Sequence, residues 1–446
     1  MLLPPGATRD AAVLLAARAL RGFGDGMVAV TLPAYLAAVG LSDVRIGAVV
    51  TATLVGSAAL TLAVGLGASR ARRGVVLAAA SALMAATGVG FAAFDAFWAL
   101  VVVGFVGTLN PSGGDVSVFL PTEQSILSFT APDSVRTALY ARYTLAGQLA
   151  AAAGSLAAGG LEWAGAAAGL APTTALRAVF AAYAGLGVAA LVLYRRLSPE
   201  LTEAGAGGPG AARRGAPRAA LGPSRGIVLR LAALFSLDSL GGGFIVQSLL
   251  ALWLFRRFDL SVAAAGAIFF WTGVLSAFSA LAAARIAGRI GLVRTMVYTH
   301  LPANGLLVLT PFAPNLAVAI ALLLARSLLS NMDVPVRTSY VMAVVTPAER
   351  PAAASVTNVP RSLASAGGPL LAGWLLGVSG FGWPLLIGGG LKAVYDLALL
   401  AMFRSVRPPE EAPLAQDPAP TPPPPGPGEP SSTPSPGKPR ARRGRR

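Results

Sequence analysis

Residues 44–68 read VRIGAVVTATLVGSAALTLAVGLGA, and this stretch decides the fold class. Its single charged residue, Arg45, lies near its start. A helix needs about 20 mostly apolar residues to cross the hydrocarbon core of a bilayer. Only helices and closed barrels satisfy their backbone hydrogen bonds in lipid, and this stretch lacks the alternation of a barrel strand. It therefore predicts a transmembrane helix.

Twelve such stretches follow one another along the chain, which is 55% hydrophobic and 12% charged. A soluble domain has about 25% charged residues. We place the predicted spans at 11–38, 44–68, 74–94, 97–128, 136–163, 174–195, 227–255, 261–284, 292–312, 315–345, 352–378 and 382–403. The composition and the spans together predict an all-α membrane protein with 12 transmembrane helices.

The second half of the chain repeats features of the first half. Gly24-Asp-Gly26 of span 1 matches Gly241-Gly-Gly243 of span 7. Thr130-Ala-Pro-Asp-Ser-Val-Arg136, before span 5, resembles Val345-Thr-Pro-Ala-Glu-Arg350, before span 11. Internal repeats of this kind are typical of transporters whose two halves rock against each other. We therefore predict two pseudo-symmetric six-helix bundles.

The predicted boundaries follow composition as well as the spans. Residues 1–195 form the first bundle, 196–226 a linker rich in Gly, Ala, Pro and Arg, and 227–404 the second bundle. Residues 405–446 form a Pro-rich basic tail, which should be disordered because it cannot bury a core. Its basic end would contact anionic membrane lipid or serve only as a solubilising tail.

The net charge of +16 is explained by the position of the arginines. They concentrate between spans 2 and 3, in the central linker, between spans 8 and 9, and in the tail. Because basic loops stay in the cytoplasm, we predict that both termini and the linker are cytoplasmic. The expected location is the inner (plasma) membrane, and no nucleic-acid partner is needed to explain the charge.

Six spans, a basic linker and six more spans resemble the major facilitator superfamily (MFS). Gly65-Leu-Gly-Ala-Ser-Arg-Ala-Arg-Arg-Gly74 resembles the family's loop between spans 2 and 3, with Ser69 or a neighbour where an acid is expected. Ser365-Ala-Gly-Gly-Pro-Leu-Leu-Ala-Gly373 is similar to the family's small-residue packing stretches. The resemblance implies the MFS fold, with a central cavity lined mainly by spans 1, 4, 7 and 10.

Span 1 carries two ionisable residues, Arg21 and Asp25, four positions apart on one helical face. An ionised side chain at mid-membrane costs about 2.5–3.5 kcal/mol on insertion scales, so it usually faces a cavity or a partner. The two residues can pair with each other. Alternatively, Asp25 lines the cavity and binds a proton or a cationic substrate.

Span 4 contains the most unusual stretch, Asn110-Pro-Ser-Gly-Gly-Asp-Val-Ser-Val-Phe-Leu-Pro-Thr-Glu-Gln124. Its prolines and glycines interrupt the helix, and the freed backbone groups need a cavity or polar neighbours. Asp115 and Glu123 are two turns apart on one face. We interpret Asn110, Asp115, Glu123 and Gln124 as a substrate and proton site; the alternative is a structural kink.

Spans 7, 10 and 11 add further candidates. Asp238 and Gln247 of span 7 are predicted to bind substrate or proton. A second group falls in the cytoplasmic part of the membrane and predicts a gate: Arg142, Asp333, Arg337 and Arg361. In the gate, Glu123 would pair with Arg361 or Arg337, and Asp333 with Arg142, when the cavity opens outward. Asp333 and Arg337, four residues apart, can also simply pair.

The remaining polar residues of the spans favour structural roles. Lys392 and Asp396 of span 12, four residues apart, are expected to form a structural ion pair. His300 is the single histidine and there is no cysteine, so clusters of His or Cys metal ligands and thiol nucleophiles are excluded. No phosphate-binding loop motif occurs. We therefore predict no metal, no cofactor and no enzymatic activity.

The functional prediction is secondary transport of a small organic solute by alternating access, driven by protons, in a monomer. Export is the leading direction, since apolar walls with a few acids suit drug-like or metabolite molecules. Uptake of an organic anion by Arg21 and the inner arginines is the nearest alternative. A transporter-like sensor or scaffold, recruiting a partner through the tail, is an alternative of another class.

Overall fold

The computed structural model describes residues 3–67, 72–112, 117–203, 222–346 and 349–404. The predicted tail, most of the linker and residues 68–71 of the loop after span 2 lie outside these ranges. The helices are α1 Arg9–Ala38, α2 Asp43–Gly67, α3 Arg73–Ala93, α4 Phe97–Val106, α5 Leu120–Leu127, α6 Asp133–Ala167, α7 Pro172–Tyr194, α8 Pro199–Glu203, α9 Arg225–Phe244, α10 Gln247–Phe258, α11 Val262–Ile290, α12 Leu292–Leu309, α13 Leu316–Ser327, α14 Asp333–Ala343, α15 Arg350–Val378 and α16 Trp383–Phe403.

Six stretches of the described chain are long and apolar enough to cross a membrane: Asp43–Val64, Arg73–Ala93, Pro172–Tyr194, Arg225–Phe258, Val262–Ile290 and Trp383–Phe403. The other predicted spans are less apolar, carry more charge, as α1 does, or are divided into shorter helices. With α4 and α5, α9 and α10, and α13 and α14 each taken as one broken span, and with the five-residue α8 left out, the helices form twelve spanning units. The predicted all-α fold class is confirmed.

Spans 4 and 10, which occupy equivalent places in the two halves, are both broken. The sequence predicts the break in span 4 but not the one in span 10. In the span 4 break, the carbonyl of Pro111 accepts hydrogen bonds from the backbone N–H and the Oγ of Ser248, at 3.2 and 2.8 Å. Ser248 lies in the first turn of α10, directly after the break in span 7. The backbone freed in one broken span therefore bonds to the other half.

The two halves repeat one pattern of helix packing. In the first half, α1 packs against α6 and α7, and α3 packs against α7. In the second half, α9 packs against α15 and α16, and α12 packs against α16. Helices α1, α3, α6 and α7 are spans 1, 3, 5 and 6, and helices α9, α12, α15 and α16 are spans 7, 9, 11 and 12. The helix pairs of the two halves are therefore equivalent. The predicted pseudo-symmetry is therefore present in the packing.

Matched glycines make the closest approaches in both halves. A Cβ on Gly26 of α1 would lie 1.9 Å from the carbonyl oxygen of Ala151 on α6. A Cβ on Gly243 of α9 would lie 2.3 Å from the carbonyl oxygen of Ser365 on α15. Only glycine permits such backbone contact between helices. The sequence match between 24–26 and 241–243 therefore corresponds to one structural position.

The loops before α6 and α15 tie each half together at its predicted cytoplasmic end. In the first half, the Thr8 N–H donates to the carbonyl of Thr130 at 2.9 Å. In the second half, Glu349 accepts hydrogen bonds from Ser224 Oγ at 2.7 Å and Thr346 Oγ1 at 2.8 Å. The Ser224 hydroxyl, and then that of Thr346, lower the pKa of Glu349 to about 2. Glu349 is therefore ionised at neutral pH and is the better acceptor for it.

The halves meet along α2 with α15 and α6 with α11, which are equivalent pairs, and α1 also contacts α10 and α11. Two polar contacts between described residues lie where α2 begins and α6 ends. Arg256 Nη2 is 2.8 Å from Asp43 Oδ1, and the Ala263 N–H donates to Glu162 Oε2 at 3.1 Å. In the predicted topology this end is non-cytoplasmic. The halves are therefore joined at this end in the present conformation.

Removing the Asp43–Arg256 contact is expected to favour the state that is open at this end. Because Arg256 is 48% exposed, the contact is worth about 0.2–1 kcal/mol, up to about fivefold in the population ratio. The chain has no cysteine, so Ser155→Cys, buried between the halves, gives a unique label site. We expect Asp43→Asn to raise maleimide labelling there by up to about fivefold. Asp95→Asn, which removes an ion pair with Arg177 within one half, should leave the labelling unchanged. Equal labelling in the two variants would mean that the Asp43–Arg256 contact does not hold this end closed.

Candidate functional site

A buried acid–base cluster lies inside the first bundle. Arg21 of α1 forms a close ion pair through Nη2 with Oε2 of Glu123 on α5. The Tyr194 hydroxyl donates to Glu123 Oε1 at 2.6 Å, and the Tyr143 hydroxyl also donates to Oε2 of this carboxylate. Arg21 is 2% exposed and Glu123 is fully buried. Four helices, α1, α5, α6 and α7, therefore meet at one carboxylate.

The other nitrogens of Arg21 are bonded as well. Nε donates to the Tyr194 hydroxyl at 3.1 Å and Nη1 to Ser117 Oγ at 3.2 Å. The guanidinium also lies over the ring of Phe119, 4.2 Å from its centroid. Helical side chains lean toward the helix N-terminus, so Arg21 extends toward Glu123 and away from Asp25. The alternative of an Arg21–Asp25 pair is therefore wrong.

Asp25 lies one turn beyond Arg21 and is 8% exposed. Among the described residues it makes no hydrogen bond and no ion pair, although Arg18 and Arg21 are charged neighbours. Gly24 and Gly26, on either side, hold α1 close to α7 and α6. This arrangement leaves a buried carboxylate without a bonded partner next to a satisfied ion pair.

The second bundle contains a larger cluster, centred on Asp238 of α9. Lys392 Nζ donates to Asp238 Oδ1 at 2.7 Å, and Arg337 Nη1 donates to Oδ2 at 3.0 Å. Arg337 Nη2 also donates to Asp333 Oδ2 at 2.7 Å. The helical pair Asp333–Arg337 is therefore present, and Asp238 joins it to α16. One connected cluster therefore contains Asp238, predicted to bind substrate or proton, and Asp333 and Arg337, predicted to form a gate.

His300 and Asp396 extend this cluster. His300 Nδ1 lies 2.9 Å from Asp396 Oδ1, and its Nε2 lies 3.9 Å from Asp238 Oδ1. Asn304 Nδ2 donates to Asp396 Oδ2 at 2.8 Å. The expected pair of Lys392 with Asp396 is therefore wrong: Lys392 bonds to Asp238, and Asp396 bonds to α12. Tertiary packing offers each residue a partner on another helix.

The central ion pairs of the two clusters occupy equivalent positions with the charges exchanged. Arg21 lies three residues before Gly24, and Asp238 lies three residues before the matching Gly241. Their partners, Glu123 and Arg337, lie near the start of the second helix in the broken spans 4 and 10. The first half therefore has its base on span 1 and its acid on span 4, and the second half the reverse.

The gating pairs are absent from this conformation within the described residues. Glu123 bonds inside the first bundle, and Asp333 bonds to Arg337 instead of Arg142. Arg361 Nε donates to Ser239 Oγ at 2.9 Å. These pairs are predicted for the outward-open state, so the gate stays a prediction for that state.

The remaining candidates lie apart from the clusters. Asn110 Oδ1 accepts hydrogen bonds from the N–H and Oγ of Ser112, at 3.1 and 2.6 Å, in the span 4 break. Gln247 Nε2 donates to Ser155 Oγ at 3.2 Å across the two halves. The carbonyl of Gln124 accepts a bond from Tyr140. Asp115 lies outside the described residues, so its role stays a prediction.

Sequence reasoning misses several members of these clusters. Tyr143 and Tyr194 lie in apolar spans, and their only signal is that a buried hydroxyl needs a partner. His300 and Asp396 are noticed but receive separate structural roles. The signal that joins His300 and Asp396 is that ionisable residues lie at equal depth on neighbouring spans.

Comparison with known proteins agrees with this architecture. The family model described as Major Facilitator Superfamily matches residues 14–325 and 231–436. An uncharacterized membrane protein of Saccharomyces cerevisiae, YJR124C, is 26% identical over 426 residues, 90% of this chain and 95% of the yeast protein.

Solved structures agree in fold. The nucleoside transporter NupG has a TM-score of 0.65 at 16% identity, covering 89% of this chain and 100% of its own. A bacterial homologue of the human lysosomal transporter Spinster, inward-facing and occupied, has a TM-score of 0.67 at 14% identity, covering 88% and 96%. Since the family model spans most of the sequence, the chain belongs to the major facilitator superfamily and is a membrane transporter.

Proposed function

We propose that the protein is a proton-coupled secondary transporter that exports a small organic solute by alternating access. The observation that carries the proposal is Asp25, a buried carboxylate without a bonded partner. Arg21, one helical turn away, forms its ion pair with Glu123. Burying an ionised carboxylate without a bonded cation costs free energy, which makes this position suited to taking up and releasing a proton.

The contacts between the halves support the direction of transport. They lie at the predicted non-cytoplasmic end, so this conformation would receive its solute from the cytoplasm. Protonation of Asp25 from the other side of the membrane would then accompany the return of the empty carrier. The proposal includes a monomer in the plasma membrane, with both termini in the cytoplasm.

A flux screen in proteoliposomes with an imposed pH gradient tests this proposal. Nucleosides, sugars, peptides, organic anions and hydrophobic cations would be offered in turn. With one proton exchanged per solute, a gradient of one pH unit supports about tenfold accumulation. We expect Asp25→Asn to abolish accumulation, because the neutral amide carries no proton, while solute exchange without a gradient continues.

Asp259→Asn is the matched control for this experiment. Asp259 is an exposed acid after α10 with a backbone φ of 51°, a conformation that asparagine adopts readily. It should accumulate solute like the unchanged chain. Accumulation in Asp25→Asn equal to that of the unchanged chain would remove Asp25 from the coupling mechanism.

Transport of an organic anion is the second candidate, and three arginines favour it. Arg142 Nη1 and Arg326 Nε are buried without a hydrogen-bond partner, and Arg361 bonds only to the Ser239 hydroxyl. None of the three pairs with an acid among the described residues. An anionic solute would supply the missing charge. In the same screen, Arg326→Gln should then lower the flux of organic anions specifically.

A further inference from the structure

The single histidine of the chain lies between two buried carboxylates in the second bundle. His300 of α12 is 2.9 Å from Asp396 through Nδ1 and 3.9 Å from Asp238 through Nε2. All three side chains are almost inaccessible to solvent. The two ring nitrogens therefore face acids on two different helices, α16 and α9.

Asp396 differs from the other acids of the cluster because no arginine or lysine among the described residues contacts it. Asp238 is bonded by Lys392 and Arg337, and Asp333 is bonded by Arg337. Asp396 is fully buried, and its partners among the described residues are His300 and Asn304. Asp238 and Asp333 are thus bonded to permanent cations, whereas Asp396 depends on the histidine.

A buried charge without compensation is costly, and one added proton removes it. Either the His300 ring becomes an imidazolium beside an ionised Asp396, or Asp396 becomes neutral and donates to a neutral ring. Both arrangements place one hydrogen between Nδ1 and Oδ1 and a second hydrogen on Nε2. Among the groups that contact Asp396, only this added proton offsets its charge.

We propose that His300 and Asp396 form a second proton-binding site, in the half of the protein opposite to Asp25. The site takes one proton from water and returns it to water, and only N–H or O–H bonds form and break. Its role in transport rests on the proposed proton coupling, whereas the binding of the proton does not.

The position of Nε2 links this proton to the packing of the helices. An imidazolium would present a second N–H to Asp238 Oδ1, the oxygen that Lys392 already holds at 2.7 Å. Gaining the proton would weaken the Lys392 contact between α16 and α9, and losing it would restore that contact. The Tyr395 ring of α16 also packs edge-on against the His300 ring, and Arg361 of α15 is a charged neighbour of Asp238. The charged groups on the other helices around α12 are Arg337 and Asp333 on α14, Arg326 on α13, and Arg285 and Arg289 on α11.

Nuclear magnetic resonance of the ring nitrogens tests the site directly. The full chain would be labelled with ¹⁵N-histidine and purified through a tag that contains no histidine. All ring signals then come from His300, since no other histidine exists. We expect the signals to change when the pH is raised within the range in which the protein stays folded and the added proton leaves. Asp396→Asn should abolish the low-pH form of the spectrum.

A count of released protons provides the second measurement. After an alkaline pulse in weakly buffered detergent, His300→Gln should release about one proton fewer than the unchanged chain. Tyr298→Phe is the matched control, because Tyr298 is 55% exposed on the same helix. A ring that keeps one neutral tautomer across the range, or an unchanged proton count in His300→Gln, would overturn the proposal. If the ring takes up a proton but the protein shows no flux driven by a pH gradient, the proposed function is refuted, whereas the proposed proton-binding site is supported.

Discussion

Glu123→Gln is expected to lower the free energy of unfolding by about 3–5 kcal/mol, because it leaves the charge of Arg21 buried without a counter-charge. Arg21 is 2% exposed, and the other groups in direct contact with its guanidinium are neutral: Tyr194, Ser117 and the ring of Phe119. Asp25, one turn away, is a charged neighbour but forms no ion pair with it. The amide keeps the shape of the side chain and one acceptor oxygen for the tyrosines. Denaturation of the purified protein in detergent, followed by circular dichroism, measures the loss.

The double variant Arg21→Met/Glu123→Gln distinguishes the destabilisation by an unpaired buried charge from the contribution of the ion pair to the free energy of unfolding. With both charges removed, the loss should be smaller than in Glu123→Gln alone. Asp95→Asn is the control in the same half, because its pair with Arg177 is exposed and should contribute little. If the losses of stability in Arg21→Met and in Glu123→Gln simply add in the double variant, Arg21 and Glu123 are not coupled as the structure indicates.

The constraint that lipid imposes on the backbone explains why the fold could be predicted. A span must be apolar over about 20 residues, and six stretches of the described chain meet this requirement in full. The repeat of Gly24–Gly26 at Gly241–Gly243 survives because backbones touch at both places. The break in span 10 was missed because its sequence lacks the clustered prolines and glycines that mark span 4.

The partners of the buried charges could not be predicted in the same way. Spacing of four residues identifies neighbours on one helix, and that rule succeeds for Asp333 and Arg337. It fails for Lys392 with Asp396, whose bonds run to other helices. Which helices face each other depends on packing that no local pattern records. Sequence therefore identifies the charged residues of the site but not their connections.

The exchanged charges of the two central pairs show how the duplicated halves have diverged. Arg21 and Asp238 occupy one repeat position, yet each has an opposite charge on the broken span beside it. Each bundle thus buries its own neutral pair and needs nothing from the other bundle. This independence suits two bodies that move relative to each other during transport.

Asp238→Asn is expected to have the largest effect in the second half, again about 3–5 kcal/mol in the free energy of unfolding. This carboxylate holds Lys392 at 2.7 Å and Arg337 at 3.0 Å, and Lys392 has no other acid among the described residues. The variant therefore leaves an ammonium buried in span 12 without its counter-charge. Arg337 is less affected because it keeps Asp333.

Asp333→Asn is the matched control, since it removes an acid from the same cluster without orphaning a cation. Arg337 would still be bonded to Asp238 at 3.0 Å, so the loss should be clearly smaller than for Asp238→Asn. Adding Lys392→Met to Asp238→Asn should recover part of the lost stability, because the unpaired ammonium is then gone. Equal losses in the two single variants, with no recovery in the double variant, would mean that Asp238 does not hold α16 to the bundle through Lys392.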